Sequence, residues 1–492
     1  MQSIEADQSK PSSKQGLLDP ADWSAFDQAA ARILAAATDK MKQASEGRTW
    51  TPTPDSLKRD LQIPPPVSGL PTDDLVDRLV EILPYGVGNT HPRFFGWVHG
   101  SGAPGNMLPD IIAAAMNANC GGRDHVGIYI ERQVIDWCKT LMGFPDAASG
   151  LIVSGTSMAS LISAKTARDA ALSFANRQSG NGSAKLVGYT SQEAHNCLAR
   201  AFDFIGLGEA ALRKVPVTAD FQIDLGALAK QVSADRAAGY QPFFLAGTAG
   251  TVNTGAIDDL DGLAAFAKQE GLWFHVDGAF GASAILSPDQ APALTGMEKA
   301  DSLAFDFHKW MHVNYDAGCV LIRDGDLHKR AFSSRPDYLA AGREGLAGGD
   351  PWPVDFGPEL SRGFRALKVW AHLLEHGTEK IGAAIDENCR QARHLASIID
   401  AHPAFERLAP VPLNICCFRY TQKGANPAQL NQLNTRMVER IQLDGIAAPS
   451  TTKIDGEVCI RVNLTNHRTK ISDLEILMQS LAERGEAEIA HL

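Results

Sequence analysis

Cysteine is scarce and scattered: eight in 492 residues, at positions 120, 138, 197, 319, 389, 416, 417 and 459, with no CxxC pair. That spacing excludes a disulfide framework and points to buried free thiols in a reducing cytosol. Basic charge is also in deficit, with 46 Lys and Arg against 57 Asp and Glu and a net charge of −11. A nucleic-acid or anionic-membrane partner needs a basic field, so neither is expected. No uninterrupted apolar run reaches the roughly 18 residues of a membrane span. The first 16 residues are polar and lack the apolar core of a signal peptide. No internal repeat divides the chain. These absences together predict a cytoplasmic globular protein acting on a small molecule.

Apolar residues make up 44% of the sequence, ample for the two or three domains that its length suggests. Residues 1–16 read as a tail. From Ala21 to Ala44 apolar residues recur at helical spacing, with Asp19 and Pro20 as a helix start. Proline-rich connections follow at Thr51–Pro54 and Pro64–Pro66. So short an arm cannot form its own core, so it is expected to wrap another surface such as a second subunit. From Leu151 the pattern becomes apolar runs alternating with helices. Strands are predicted at Leu151–Val153, Lys185–Tyr189, Arg213–Val217, Phe243–Gly247, Trp273–Val276, Ser302–Phe305 and Cys319–Arg323. Several lack polar alternation, as strands covered on both faces do. The class is α/β with a mainly parallel sheet, and ligands belong at the strand carboxyl ends. Past Gly325 the alternation stops. Arg335–Pro358 reads as a long mobile loop. A long helix then runs from Arg365 towards Asp400, interrupted near Gly377 and Gly382, and the chain ends in a small α+β cap with strands at Cys416–Tyr420 and Val458–Leu464 and a helix from Ser472.

The residues able to carry chemistry lie at the ends of these runs. Ser154-Gly155-Thr156-Ser157 joins a strand to a helix, and helix-start amides with two hydroxyls suit a phosphate; an ordinary N-cap satisfies the same amides. Asp277, in HVDGAFGASA, either caps the next turn or meets a flat ring that the small residues around it admit. Lys309 follows His308 in DSLAFDFHKW, where an unpaired ammonium is costly and a functional role is favoured. A carboxylate that keeps a pyridine nitrogen protonated and an imine-forming lysine are what a pyridoxal phosphate enzyme needs. His195 is either a loop histidine or a cover for one face of such a ring. Tyr338, in the long loop, is either a surface anchor or a proton donor on a lid. Two patterns carry less. Gly100 to Gly105 formally matches GxGxxG, but Pro104 and Pro109 interrupt the helix a dinucleotide requires, leaving a glycine-rich loop beside a pocket. His372-Leu-Leu-Glu375-His376 matches an inverted zinc-peptidase pattern, yet its neighbours fit an amphipathic helix with the histidines facing solvent, so no metal is expected.

Taken together, HVDGAFGASA, DSLAFDFHKW, VNYDAGC and GFRALKVW, in this order between His91 and Leu464, resemble the group II pyridoxal phosphate decarboxylases, the aromatic L-amino-acid decarboxylase family. The resemblance implies a fold type I homodimer with a seven-stranded, mainly parallel sheet. Its parts would be an N-terminal tail and dimerisation arm (1–95), a large cofactor domain (96–385) and a small α+β C-terminal domain (386–492). It implies that Lys309 holds the cofactor's aldehyde as an imine and that Asp277 bonds the pyridine nitrogen. His195 and Ala279 would cover the two ring faces, with Thr248 nearby. Thr156 and Ser157, helped by His308, would grip the phosphate. Tyr338 would act at the subunit interface, and after carbon dioxide leaves a proton from Tyr338 or a nearby acid would reach Cα to give the amine. Because the loop tyrosine and stacking histidine are both kept, simple decarboxylation is favoured over oxidative deamination to an aldehyde. On the substrate side Trp97, His99 and Arg123 stand where aromatic-specific members are more apolar. Arg123 and His99 either meet a polar or acidic substrate side chain, or Arg123 pairs with Asp124 at the dimer contact.

Overall fold

Strands that are apolar throughout need cover on both faces, and the computed structural model shows all seven predicted ones in a single sheet. The structure describes residues 18–334, 342 and 344–489. The strands are β1 (Ser149–Val153), β2 (Leu186–Ser191), β3 (Leu212–Val215), β4 (Gln241–Thr248), β5 (Trp273–Asp277), β6 (Ser302–Asp306) and β7 (Gly318–Ile322). Their order is β1-β7-β6-β5-β4-β2-β3. β3, β2, β4, β5 and β6 run parallel, and β7 is antiparallel to both its neighbours. Every residue of β2, β6 and β7 is buried, which explains why these strands show no alternation.

The chain divides into two compact units. The first contains α1 (Trp23–Lys42), α2 (Asp55–Asp60) and α3 (Thr72–Ile82). α1 is capped by Asp22 rather than started by the predicted Asp19 and Pro20, because the Asp22 carboxylate accepts the Ser24 and Ala25 amides at 2.8 and 3.3 Å. Arg32 ties α1 to Asp73 and Asp77 of α3.

The second unit comprises Ser45–Trp50 and the chain from Val87 onward. Its helices are α4 (Met107–Met116), α5 (Val126–Met142), α6 (Thr156–Ala171), α7 (Asn176–Ser179), α8 (Cys197–Phe204), α9 (Leu225–Ala237), α10 (Leu260–Glu270), α11 (Gly325–Phe332), α12 (Arg365–Ala401), α13 (Pro427–Leu443) and α14 (Ile471–Ile489). The prolines after Gly100 do not break the chain as expected. Pro104 opens a one-turn helix and Pro109 sits in the first turn of α4, where a missing N–H leaves no bond unmade. In α12 the break falls at Gly377 (φ 67°), whereas Gly382 stays helical. A second sheet, antiparallel throughout, has the order β10-β11-β9-β8, from β8 (Phe405–Arg407), β9 (Ile415–Tyr420), β10 (Ser450–Ile454) and β11 (Glu457–Asn463). It shares a core with α13 and α14 through Phe418, Met437, Ile460 and Leu474. All eight cysteines are buried and unpaired. Among the described residues no helix is long and apolar enough to cross a membrane.

Candidate active site

A cavity of about 510 Å³ opens at the carboxyl ends of the parallel strands, where such sheets collect ligands. It is lined by Thr156 and Ser157 at the start of α6, His195 before α8, Thr248 ending β4, Asp277 ending β5, Ala279, His308 and Lys309, with Trp97 at its rim. Residues from six separate stretches, most of them predicted from sequence, thus meet at one place. A larger groove of about 1010 Å³ lies at the opposite end of the sheet, around Gln241, Gly271 and Asp301; it holds none of these groups.

Asp277 is buried; its Oδ1 accepts the Ala279 amide at 3.1 Å, and Oδ2 lies 3.8 Å from Cys197 Sγ. Burial pushes this carboxyl above the ordinary aspartate range, against the pull of Lys309. A positive ring nitrogen placed there would reverse that effect and be held by it. Burial also works against the Lys309 ammonium, yet Asp306, 3.0 Å from Nζ, outweighs it and holds the lysine above its usual pKa. His195 Nδ1 accepts the Cys197 amide at 3.2 Å, which fixes the ring's direction at the cavity wall. Desolvation lowers its pKa, so at neutral pH it is an uncharged aromatic plate. His308 Nδ1 accepts the Ala317 amide at 3.1 Å, and its ring lies 4.3 Å from that of Tyr315.

Two hydroxyls stand out for what they lack. Thr156 Oγ1 and Thr248 Oγ1 are buried in the cavity wall with no hydrogen-bond partner among the described residues, a state that a bound polar group would relieve. With the helix start of α6, a neutral histidine ring, a buried carboxylate and a lysine, they form a polar set that fits a flat phosphorylated aldehyde.

The substrate-side candidates divide. Trp97 lines the cavity, and His99 packs against both Trp97 and Tyr315 with ring centroids 6.0 Å away. Burial, then Lys309 and His308, lower the His99 pKa, so it presents a neutral ring. Gly100 lets this loop lie directly on the carbonyls of His308 and Lys309, where any Cβ would collide. Arg123 is elsewhere: its guanidinium lies 4.9 Å over the Trp352 ring, and it does not line the cavity. Asp124 accepts a bond from Tyr129 at 2.6 Å. Tyr338 lies outside the described residues. His372 does not face solvent as expected; it is buried, with Nδ1 2.9 Å from Asn106 Nδ2. Sequence reasoning missed Asp306, Cys197 and Tyr315, all in the cavity wall. Of these only Asp306 had a signal, a carboxylate ending an apolar run as Asp277 does.

The pyridoxal-dependent decarboxylase conserved domain matches residues 54–421. An aromatic-L-amino-acid decarboxylase of Bacillus atrophaeus is 34% identical over 82% of this chain and 83% of that protein. A phenylacetaldehyde synthase of Petunia hybrida is 28% identical over 83% of each. The crystal structure of Oryza sativa TDC with PLP and tryptamine superposes with a TM-score of 0.88 at 23% identity, over 96% of this chain and 99% of that one, a likeness of fold. The fold is therefore that of the fold type I pyridoxal phosphate enzymes. The chain belongs to the pyridoxal-dependent decarboxylase family and is a pyridoxal phosphate-dependent amino-acid decarboxylase.

Proposed function

We propose that this enzyme decarboxylates an aromatic L-amino acid to its amine, using Lys309, Asp277, His195 and Tyr338 as its catalytic set. The observation that carries this reading is the convergence of Lys309, Asp277 and His195 on one cavity whose wall holds two unpartnered threonine hydroxyls. Bound pyridoxal phosphate supplies the electron sink for the bond that breaks at Cα. Lys309 would hold the cofactor through its aldehyde. Asp277 would keep a proton on the ring nitrogen, with His195 and Ala279 as the residues for its two faces. Thr156, Ser157 and His308 would bind the phosphate, with Thr248 in the same wall. Tyr338 returns a proton to Cα after carbon dioxide has left.

The aromatic substrate is supported by the wall that Trp97, Tyr315 and Phe280 present, with His99 packed behind Trp97 and Tyr315, and by the names of the relatives. With Arg123 over Trp352, the case for an acidic substrate rests on His99 alone, and that ring is neutral. A homodimer is supported by exposed apolar side chains on α1 and α3 (Trp23, Phe26, Leu75, Leu79) and on α4 (Leu108, Ile111, Ile112). A cytoplasmic location fits eight unpaired thiols. The arm would end at residue 95, the cofactor domain would span residues 96–385 and the C-terminal domain residues 386–492.

The deciding experiment measures carbon dioxide and peroxide released from each of the twenty amino acids and from hydroxylated aromatics. Amine and carbon dioxide in equal amounts from tyrosine, tryptophan or a hydroxylated relative, without peroxide, are expected. Stoichiometric peroxide would refute simple decarboxylation, and turnover of acidic amino acids alone would refute the substrate class.

A further inference from the structure

Two things the proposed cofactor site needs are already held by one carboxylate. Asp306, ending β6, is buried. Its Oδ1 accepts the first amide of α6, Thr156 N–H, at 2.7 Å, while Oδ2 lies 3.0 Å from Lys309 Nζ and 3.7 Å from His308 Nε2. The opening amides of a helix lack partners within it and attract an anion. Here the anion is a side chain of the protein itself. Its seat is built in: a Cβ at Gly318, the first residue of β7, would stand 2.6 Å from Asp306 Oδ1, so that position must stay glycine for the carboxylate to fit. Beside the same amide, the buried Thr156 Oγ1 has no partner among the described residues, so the cradle has capacity that Asp306 does not use.

We propose that Asp306 is a positioning residue that stands in for the cofactor's phosphate, holding the α6 amide and the Lys309 ammonium until the cofactor displaces it. This rests on the roles proposed above for Thr156 and Lys309. A phosphate brought to this helix end meets a like charge at short range in a buried setting, where such repulsion is strong. Asp306 therefore weakens the grip on phosphate and has little effect on the rest of the cofactor. Replacing it by asparagine keeps the shape and an acceptor for Thr156 N–H while removing the charge.

The test uses the full-length apo protein titrated with pyridoxal phosphate and with pyridoxal, which lacks the phosphate, followed by competition with inorganic phosphate. Titrations are run with native Lys309 and with Lys309→Ala, where no covalent capture occurs. In the Lys309→Ala background, Asp306→Asn is expected to bind pyridoxal phosphate roughly fivefold or more tightly, with inorganic phosphate competing at correspondingly lower concentration and pyridoxal affinity little changed. Unchanged affinity for pyridoxal phosphate, or an equal change for both ligands, would overturn the proposal. Asp306→Ala, which removes the acceptor as well, must shift the ratio of the two affinities in the same direction, so a folding defect in one variant leaves the other decisive. If the unsubstituted protein binds neither pyridoxal phosphate nor inorganic phosphate, the roles of Thr156 and Lys309 fall first and the inference falls with them.

Discussion

A lysine ammonium half-buried just past a strand end is steadied by a counter-charge, and Asp306 supplies one 3.0 Å away. Lys309→Ala is expected to fold, to show no visible imine absorption with added cofactor, and to release carbon dioxide at least about a thousandfold more slowly. A variant that kept the absorption band would show that another amine holds the aldehyde. Asp277→Asn removes a charge but not the amide-accepting shape. It should still capture the cofactor, while carbon dioxide release falls by roughly a hundredfold to ten-thousandfold, as expected when a positioned proton is no longer held. Asp277 and Lys309 were legible because each ends an apolar run, where a polar group stands out against its neighbours. Tyr315 and Cys197 were not. Each lies close to a predicted site residue, Cys197 two positions after His195 and Tyr315 six after Lys309, but spacing along the chain carries no trace of which neighbours turn into the cavity.

At the scale of elements, burial on both faces made the seven central strands readable as unbroken apolar runs. The second sheet was harder. β8 is three residues long, and β10 has buried ends around three more exposed residues, so neither forms a run that sequence can separate from loop. His372 was misplaced because α12 packs on more than one side, and a helix with two buried faces has no simple polar stripe. What locks these elements around the cavity is also invisible in spacing. Arg362, just before α12, is almost wholly buried and donates to both carboxylate oxygens of Glu131 on α5, at 2.7 and 2.9 Å, to Cys120 O at 3.0 Å, and to Ile152 O on β1. Glu131 Oε1 in turn accepts the Ile152 amide at 3.0 Å. Glu131→Gln would leave the buried guanidinium with only Glu359, 4.0 Å from Nε, as counter-charge, so a loss of about 3 kcal/mol is expected in denaturant unfolding. The double variant Glu131→Gln with Arg362→Met should recover much of it. Equal stability of the single variant and the native protein would mean the pair carries no net weight.

Across the whole molecule, buried histidines make stability depend on pH in a direction that can be worked out. His275 and His328 are fully enclosed, and burial lowers both to about 3; His372 falls to about 4 from the same cause, and His312 lies well below the ordinary value. In the unfolded chain each takes up a proton near pH 6.5. Between that value and about 3 to 4 the unfolded state therefore binds more protons than the folded one, and stability is lost as pH falls, by up to about 1.4 kcal/mol per pH unit for each histidine. Asp258 opposes this, because burial raises it to about 6 and the folded state takes its proton first. One carboxyl does not balance four imidazoles, although the raised Asp277 and Asp301 lessen the difference. The urea midpoint of the apo protein should accordingly change little from pH 8 to 7 and fall clearly between pH 6.5 and 5. His328 tests the cause directly. It bonds Ser149 Oγ at 2.8 Å and Phe356 O at 2.7 Å and does not line the cofactor cavity, so His328→Gln should flatten the acid slope by roughly one histidine's share whatever it does to stability at pH 8. A slope unchanged by that substitution would assign the acid sensitivity to other groups.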